Sequence, residues 1–220
     1  MDSPGGFGAI FANGCGRDTI GAVLPFRSHG LVLALALSPQ AQGADDAVAL
    51  SPVASPAVVA PDRNAALVEA ARRYLGRPYS FGGRGSYIDC MGLVFRAWTD
   101  AGRGDYRGLS VNPTELVSKR QLGAPVPGLS PVASHAVDYA VLRAGDVLFF
   151  LGTAENTNEP SLASLGGQPV WVWHMGLYSG GERRDFVVGD HYAASVVETS
   201  LPAYLANHPV YVGLFVVRPG

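Results

Sequence analysis

Apolar positions along this chain recur first with helical and later with strand-like spacing. Leu67, Val68, Ala71, Tyr74 and Leu75 fall on one face of a helix predicted over Asp62 to Leu75. Gly76 follows as a terminator, and Pro78 forbids continuation. Leu93, Val94, Ala97 and Trp98 repeat the pattern in a second helix, capped by Asp89 and stopping at Gly102. A short helix is expected over Thr114 to Gln121, with Asn112 or Thr114 as cap. Residues 123–139 read as a Pro/Gly/Ser/Ala loop. The period then changes. Gly145-Asp146 marks a turn into a buried strand ending at Leu151, and Thr153 to Pro169 reads as a second polar loop. Val170 to Tyr178 alternates, Ser179 to Arg184 makes a hairpin turn, and Asp185 to Val188 returns. Ser195 to Glu198 and Val210 to Val217 are two further apolar runs. Helices followed by a meander of strands predict an α+β domain.

Upstream the pattern is different. Residues 1–27 are Gly-rich and aperiodic, and after Gly30 comes Leu-Val-Leu-Ala-Leu-Ala-Leu, with Arg27 before it and the small residues Ala41 and Gly43 after. This resembles a secretory signal with an unusually long leading region; the other reading is a disordered Gly/Ala-rich tail. Residues 1–43 are therefore expected to be a leader or extension, 44–61 an Ala/Val/Pro/Ser linker, and 62–220 the folded domain. Export would make the protein secreted, periplasmic or bound to the cell envelope.

Composition narrows the classes. The 220 residues are 48% hydrophobic and 15% charged with a formal net charge of -2, so no polyanion-binding surface and no nucleic-acid partner is expected. No run approaches the ~18 apolar residues of a membrane span. Cys15 and Cys90 are the two cysteines, too few for a disulfide framework or a Cys-based metal site. The Gly82-Gly83-Arg84-Gly85 loop lacks the Lys-Ser/Thr of a phosphate loop, and a zinc hydrolase finds no His-Glu-x-x-His.

Cys90 stands in the first turn of the second helix. There the helix dipole favours a thiolate, which would make it a nucleophile; a small buried core residue is the equal alternative. A base is then needed. His29 lies in the leader, and His135 and His208 sit in loop-like contexts and read as solvated. His174 lies mid-strand in Val-Trp-Val-Trp-His-Met-Gly-Leu-Tyr. It must either face a cleft or be satisfied by a core partner.

Four blocks, in order, carry a family resemblance. Leu75-Gly-Arg-Pro-Tyr-Ser-Phe-Gly-Gly leading to Ile88-Asp-Cys-Met-Gly-Leu-Val resembles the nucleophile motif of NlpC-type cell-wall cysteine peptidases. Leu142-Arg-Ala-Gly-Asp-Val-Leu-Phe-Phe resembles their central strand, His174-Met-Gly-Leu-Tyr-Ser-Gly the strand carrying the base, and Val212-Gly the approach to the last strand. The resemblance implies a papain-like fold, its nucleophile helix packed on a five- to six-stranded antiparallel sheet. It implies Cys90 as nucleophile, His174 as general base and then acid, Tyr79 near the oxyanion and substrate, and Asp89 near a substrate amine. It also implies hydrolysis of peptidoglycan stem peptides at γ-D-glutamyl bonds, with no metal or cofactor. Three departures stand out. Met91 replaces the usual Ser, the 123–139 and 153–169 segments lengthen the separation of Cys90 from His174, and Gly189 occupies the place of the third polar residue. His191, or Asp190, is the nearest replacement. An inactive wall-binding module and a thiol amidase or acyltransferase are the alternatives on the same scaffold.

Overall fold

The computed structural model describes residues 62–220; the expected leader and linker lie outside the described residues. The helix α1 (Arg63–Arg72) starts where Asp62 accepts from the Asn64 amide at 2.9 Å, and buries Leu67, Val68, Ala70 and Ala71. It ends earlier than the apolar spacing suggested. Beyond it the Gly76 and Tyr79 amides donate to Val196 and Ala194 carbonyls, so this backbone is spent on the sheet. Next come α2 (Cys90–Asp100) and α3 (Pro113–Ser118), the latter capped by Asn112.

The strands are β1 (Ala124–Pro125), β2 (Val132–Ala133), β3 (Val147–Gly152), β4 (Ala163–Leu165), β5 (Gln168–Gly180), β6 (Asp185–Asp190), β7 (Ser195–Ser200) and β8 (Gly213–Arg218). All pair antiparallel in the order β1-β8-β3-β5-β6-β7, with β2 added to β8 and β4 to β5. The sheet therefore has eight strands rather than five or six. The excess is short: β1, β2 and β4 have two or three residues and come from the two segments read as loops. A helix not expected from the sequence, α4 (Leu201–Asn207), follows β7 and is capped by Ser200.

Strand alternation gives the sheet two apolar faces. Val147, Phe149, Leu177 and Phe215 pack with Leu67, Leu93 and Val94 of α1 and α2. Leu148, Phe150, Phe186 and Val216 pack on the other side with Leu201 and Leu205 of α4 and with Val126 and Leu129. The 123–139 segment is thus core filling, which its Pro and Ser content concealed.

Two close approaches set the geometry. Gly145 has φ of +87° and a Cβ there would stand 2.6 Å from the Asn64 carbonyl oxygen, so the turn into β3 presses directly on α1. The neighbouring Asp146 is fully buried and accepts from Arg143 N at 2.9 Å, Arg218 Nε at 2.8 Å and Arg218 Nη2 at 2.7 Å. At the other side of the sheet, β5 and β6 pair only from Leu177↔Val187 onward to the hairpin. Past that point they part, and the start of α2 enters beside β6. A Cβ on Gly189 would meet the Asp89 carbonyl at 2.8 Å.

Removing the cation from a buried ion pair strands the carboxylate. Arg218→Leu is therefore expected to cost about 3–5 kcal/mol in urea unfolding, and Asp146→Leu in the same chain to restore part of it. A cost below about 1 kcal/mol for the single change would show that Asp146 does not depend on Arg218.

Candidate active site

The loop before α2 is organised by Asp89. Its buried carboxylate accepts from the Gly92 amide at 2.6 Å, capping the helix, from the Gly82 amide at 2.8 Å, and from Arg84 Nη1 at 2.5 Å. Arg84 lies in turn over the Phe95 ring, 5.4 Å from its centroid. Both Asp89 oxygens are thus engaged by donors of the chain itself.

Cys90 follows in the first turn, half-buried. The Met175 and Met91 backbone amides favour charge on its sulfur, Met175 being left unpaired on that side because β5 has parted from β6. Even so, the thiol is pushed up to about 12, first by loss of water around it and then by the Asp89 charge; the two amides and Arg84 oppose this without prevailing. The helix dipole was expected to favour a thiolate. Burial and the capping carboxylate outweigh it.

His174 is 2% exposed, and burial, with His191 and His208 adding like-charge repulsion, lowers its pKa to about 3. It is a neutral imidazole at pH 7. Nε2 is buried and has no hydrogen-bond partner among the described residues. The ring lies among aromatic side chains: Tyr211 at 5.9 Å, Tyr204 at 6.1 Å, Phe150 at 5.6 Å and His191 at 6.1 Å, centroid to centroid.

Neither candidate third residue bonds to it. Asp190, 5% exposed, accepts from Tyr192 N at 3.1 Å, Ala193 N at 3.3 Å and the Tyr204 hydroxyl at 3.3 Å. His191 is exposed; its Nδ1 lies 4.0 Å from Asp190 Oδ1 and its ring meets His174 edge-on, at 89°. Tyr79 is half-buried beside His191, and burial with the nearby Cys90 and Asp89 charges raises its phenol well above the ordinary value. His135 is exposed as expected. His208 is not simply solvated: it ends α4, its Nδ1 lies 2.8 Å from the Tyr204 carbonyl, and it packs between Tyr192 and Tyr204.

Cys90, Met91 and His174 line one cavity of about 530 Å³ together with Asp89 and Arg84. The 153–169 segment supplies a wall through Asn156, Asn158 and Glu159. That wall is tied down by Trp173 Nε1 to Ala154 O at 3.0 Å, Trp171 Nε1 to Glu159 O at 3.2 Å and the Thr114 hydroxyl to Glu159 Oε2 at 3.2 Å. Phe81, Val111 and Trp173 form an exposed apolar rim. Sequence reasoning missed the roles of Arg84, Tyr204 and Tyr211. The described residues contain no cluster of metal-ligating side chains.

No family model and no curated protein matches the sequence. Among solved structures the chain is similar to an N-acetylmuramoyl-L-alanine amidase from Bacteroides uniformis, at 12% identity over 72% of this chain and 99% of that one, with a TM-score of 0.53. NlpC1 from Trichomonas vaginalis (16% identity, 74% of this chain, TM-score 0.49) and the NlpC/p60 domain of the peptidoglycan hydrolase SagA (22%, 70% of this chain and 97% of that one, 0.42) are also similar. The chain spans 46% of the length of NlpC1. At these identities the likeness is one of fold. The described domain shares the fold of that amidase, an α+β arrangement of helices packed on an antiparallel sheet.

A thiol held near 12 loses its proton only in strong base. Alkylation of Cys90 by iodoacetamide, followed by peptide mapping to separate it from Cys15, is expected to accelerate about tenfold per pH unit from pH 6 to 10. A plateau reached by pH 7 would instead reveal a thiolate–imidazolium pair already formed in the free protein.

Proposed function

We propose that residues 62–220 are a cysteine hydrolase domain that cleaves peptide amide bonds of cell-wall peptidoglycan, with Cys90 as nucleophile and His174 as base. The observation that carries this reading is that Cys90 and His174 line the same cavity. The motif resemblance and the amidase-like fold favour a peptidoglycan substrate. The γ-D-glutamyl bond of the stem peptide is the specific target we infer from the motif.

The chemistry starts from a neutral pair. As the substrate carbonyl approaches, the thiol proton passes to the free imidazole while sulfur bonds to the carbonyl carbon, so the two charges appear together and offset one another. The developing oxyanion needs donors, and we assign that role to the amides at the start of α2 and to the Tyr79 phenol. The imidazolium then protonates the leaving amine, leaving a thioester. Water attacks it with His174 again as base, and thiol and carboxylic acid are released. Met91 places a thioether in the cavity where a hydroxyl is usual, which favours apolar contact with the substrate there. The leader expected over 1–43 and the linker over 44–61 would deliver the domain to the envelope.

Mass spectrometry of peptidoglycan digested with the protein tests activity and bond together. The expected result is new stem-peptide termini from the wild type and a loss of more than about 1000-fold in Cys90→Ala and in His174→Ala. Saturable binding to peptidoglycan without new termini would replace this reading with a wall-binding module, which the raised thiol pKa and Met91 would then explain.

A further inference from the structure

The unpartnered Nε2 of His174 poses a question that the hydrogen-bond pattern does not answer. A buried catalytic imidazole must be prevented from turning, and no side chain bonds its inner nitrogen among the described residues. What surrounds it is a set of rings. His174, Tyr204 and Tyr211 lie pairwise 5.9 to 6.1 Å apart, and their planes agree within 6° to 18°. Phe150 touches all three, at 5.6 Å from His174, 5.6 Å from Tyr204 and 5.3 Å from Tyr211, tilted by 50° to 67°. The imidazole therefore forms one corner of a triangle of near-parallel rings, with Phe150 against all of them.

The triangle is itself anchored. Tyr204 is 4% exposed on α4; its hydroxyl donates to Asp190 Oδ1 at 3.3 Å and also contacts the Tyr211 hydroxyl. Tyr211 is 4% exposed, and its amide donates to the His208 carbonyl at 3.0 Å. His208 covers the Tyr204 ring from outside at 4.2 Å. In a close-packed interior, turning the imidazole would require these rings to move as well.

We propose that Tyr204 and Tyr211 are the positioning residues for His174, holding the imidazole by ring packing in place of a hydrogen-bonded third side chain. This rests on the reading of His174 as the base. It assigns the orienting role to α4 and to the segment entering β8, not to the strand end at Asp190–His191.

The test compares variants that keep the ring with variants that lose it. Tyr204→Phe and Tyr211→Phe should keep kcat on peptidoglycan within about 3-fold, while Tyr204→Leu and Tyr211→Leu should lower kcat about 100-fold with KM changed less than about 3-fold, the signature of a displaced base rather than lost binding. His191→Ala should cost less than either Leu change. In parallel, imidazole ¹⁵N NMR should give one narrow His174 signal set in the wild type and the Phe variants, and doubled or broadened signals in the Leu variants. Leu variants that retain kcat, Phe variants that fall as far as the Leu variants, or a His191→Ala loss exceeding both would each overturn the proposal. If the wild type hydrolyses nothing, the hydrolase reading fails and the NMR comparison alone decides this one. An unchanged His174 signal in the Leu variants, or a disordered one in the Phe variants, would then overturn it; the Phe variants keep this decisive should a Leu variant not fold.

Discussion

The site depends on one buried carboxylate. Asp89 takes hydrogen bonds from the helix it caps, from the preceding loop at Gly82 and from the Arg84 guanidinium. An N-cap alone contributes about 1 kcal/mol, but a buried carboxylate that also satisfies a loop and an arginine makes the three mutually dependent. The residue after it is Cys90, so whatever fixes Asp89 fixes the sulfur. The same charge disfavours the thiolate. Placement of the sulfur and ease of its ionisation are therefore in opposition, and placement prevails in the free protein.

The second constraint is the parting of β5 from β6. A fully paired ladder would have consumed the Met175 amide and closed the space that the start of α2 occupies. Pairing ends at Leu177↔Val187, while β6 and β7 continue to Asp190↔Ser195. The sheet is thereby split locally without losing its edge, and Gly189 provides the room for the Asp89–Cys90 peptide. Cys90 approaches from the α1–α2 face and His174 packs among rings of the opposite face. They share a cavity because of this split.

What the sequence disclosed was mostly local. Asp89 as a cap, Cys90 in a first turn, the Gly145-Asp146 turn and the strand around His174 each announce themselves within a few residues. Arg84 pairing with Asp89 is also close in sequence, but nothing in a Gly-rich loop shows which way its arginine turns. α4 carried a signal, Ser200 with Pro202 just inside the helix start, yet seven residues are too few for apolar periodicity to register. Tyr204 and Tyr211 meet His174 only through the fold, so no spacing revealed them. The thiolate expectation failed because a dipole argument uses the helix alone, whereas the desolvation that overrode it comes from packing around the whole site.

In the β3–β5 ladder Phe150 faces His174 and Leu151 faces Val172, so Trp173 is left over as a bulge. Its indole reaches Ala154, at the start of the segment that walls the cavity. That segment leaves after β3 and is back in β5 before the bulge, with both tryptophans pinning it on the way. Length changes there are absorbed upstream of His174, and the strand register that places the imidazole is insulated from them. The scaffold thus separates what is fixed from what can vary: the wall of the cavity can be rebuilt in length and sequence while Cys90 and His174 keep their places.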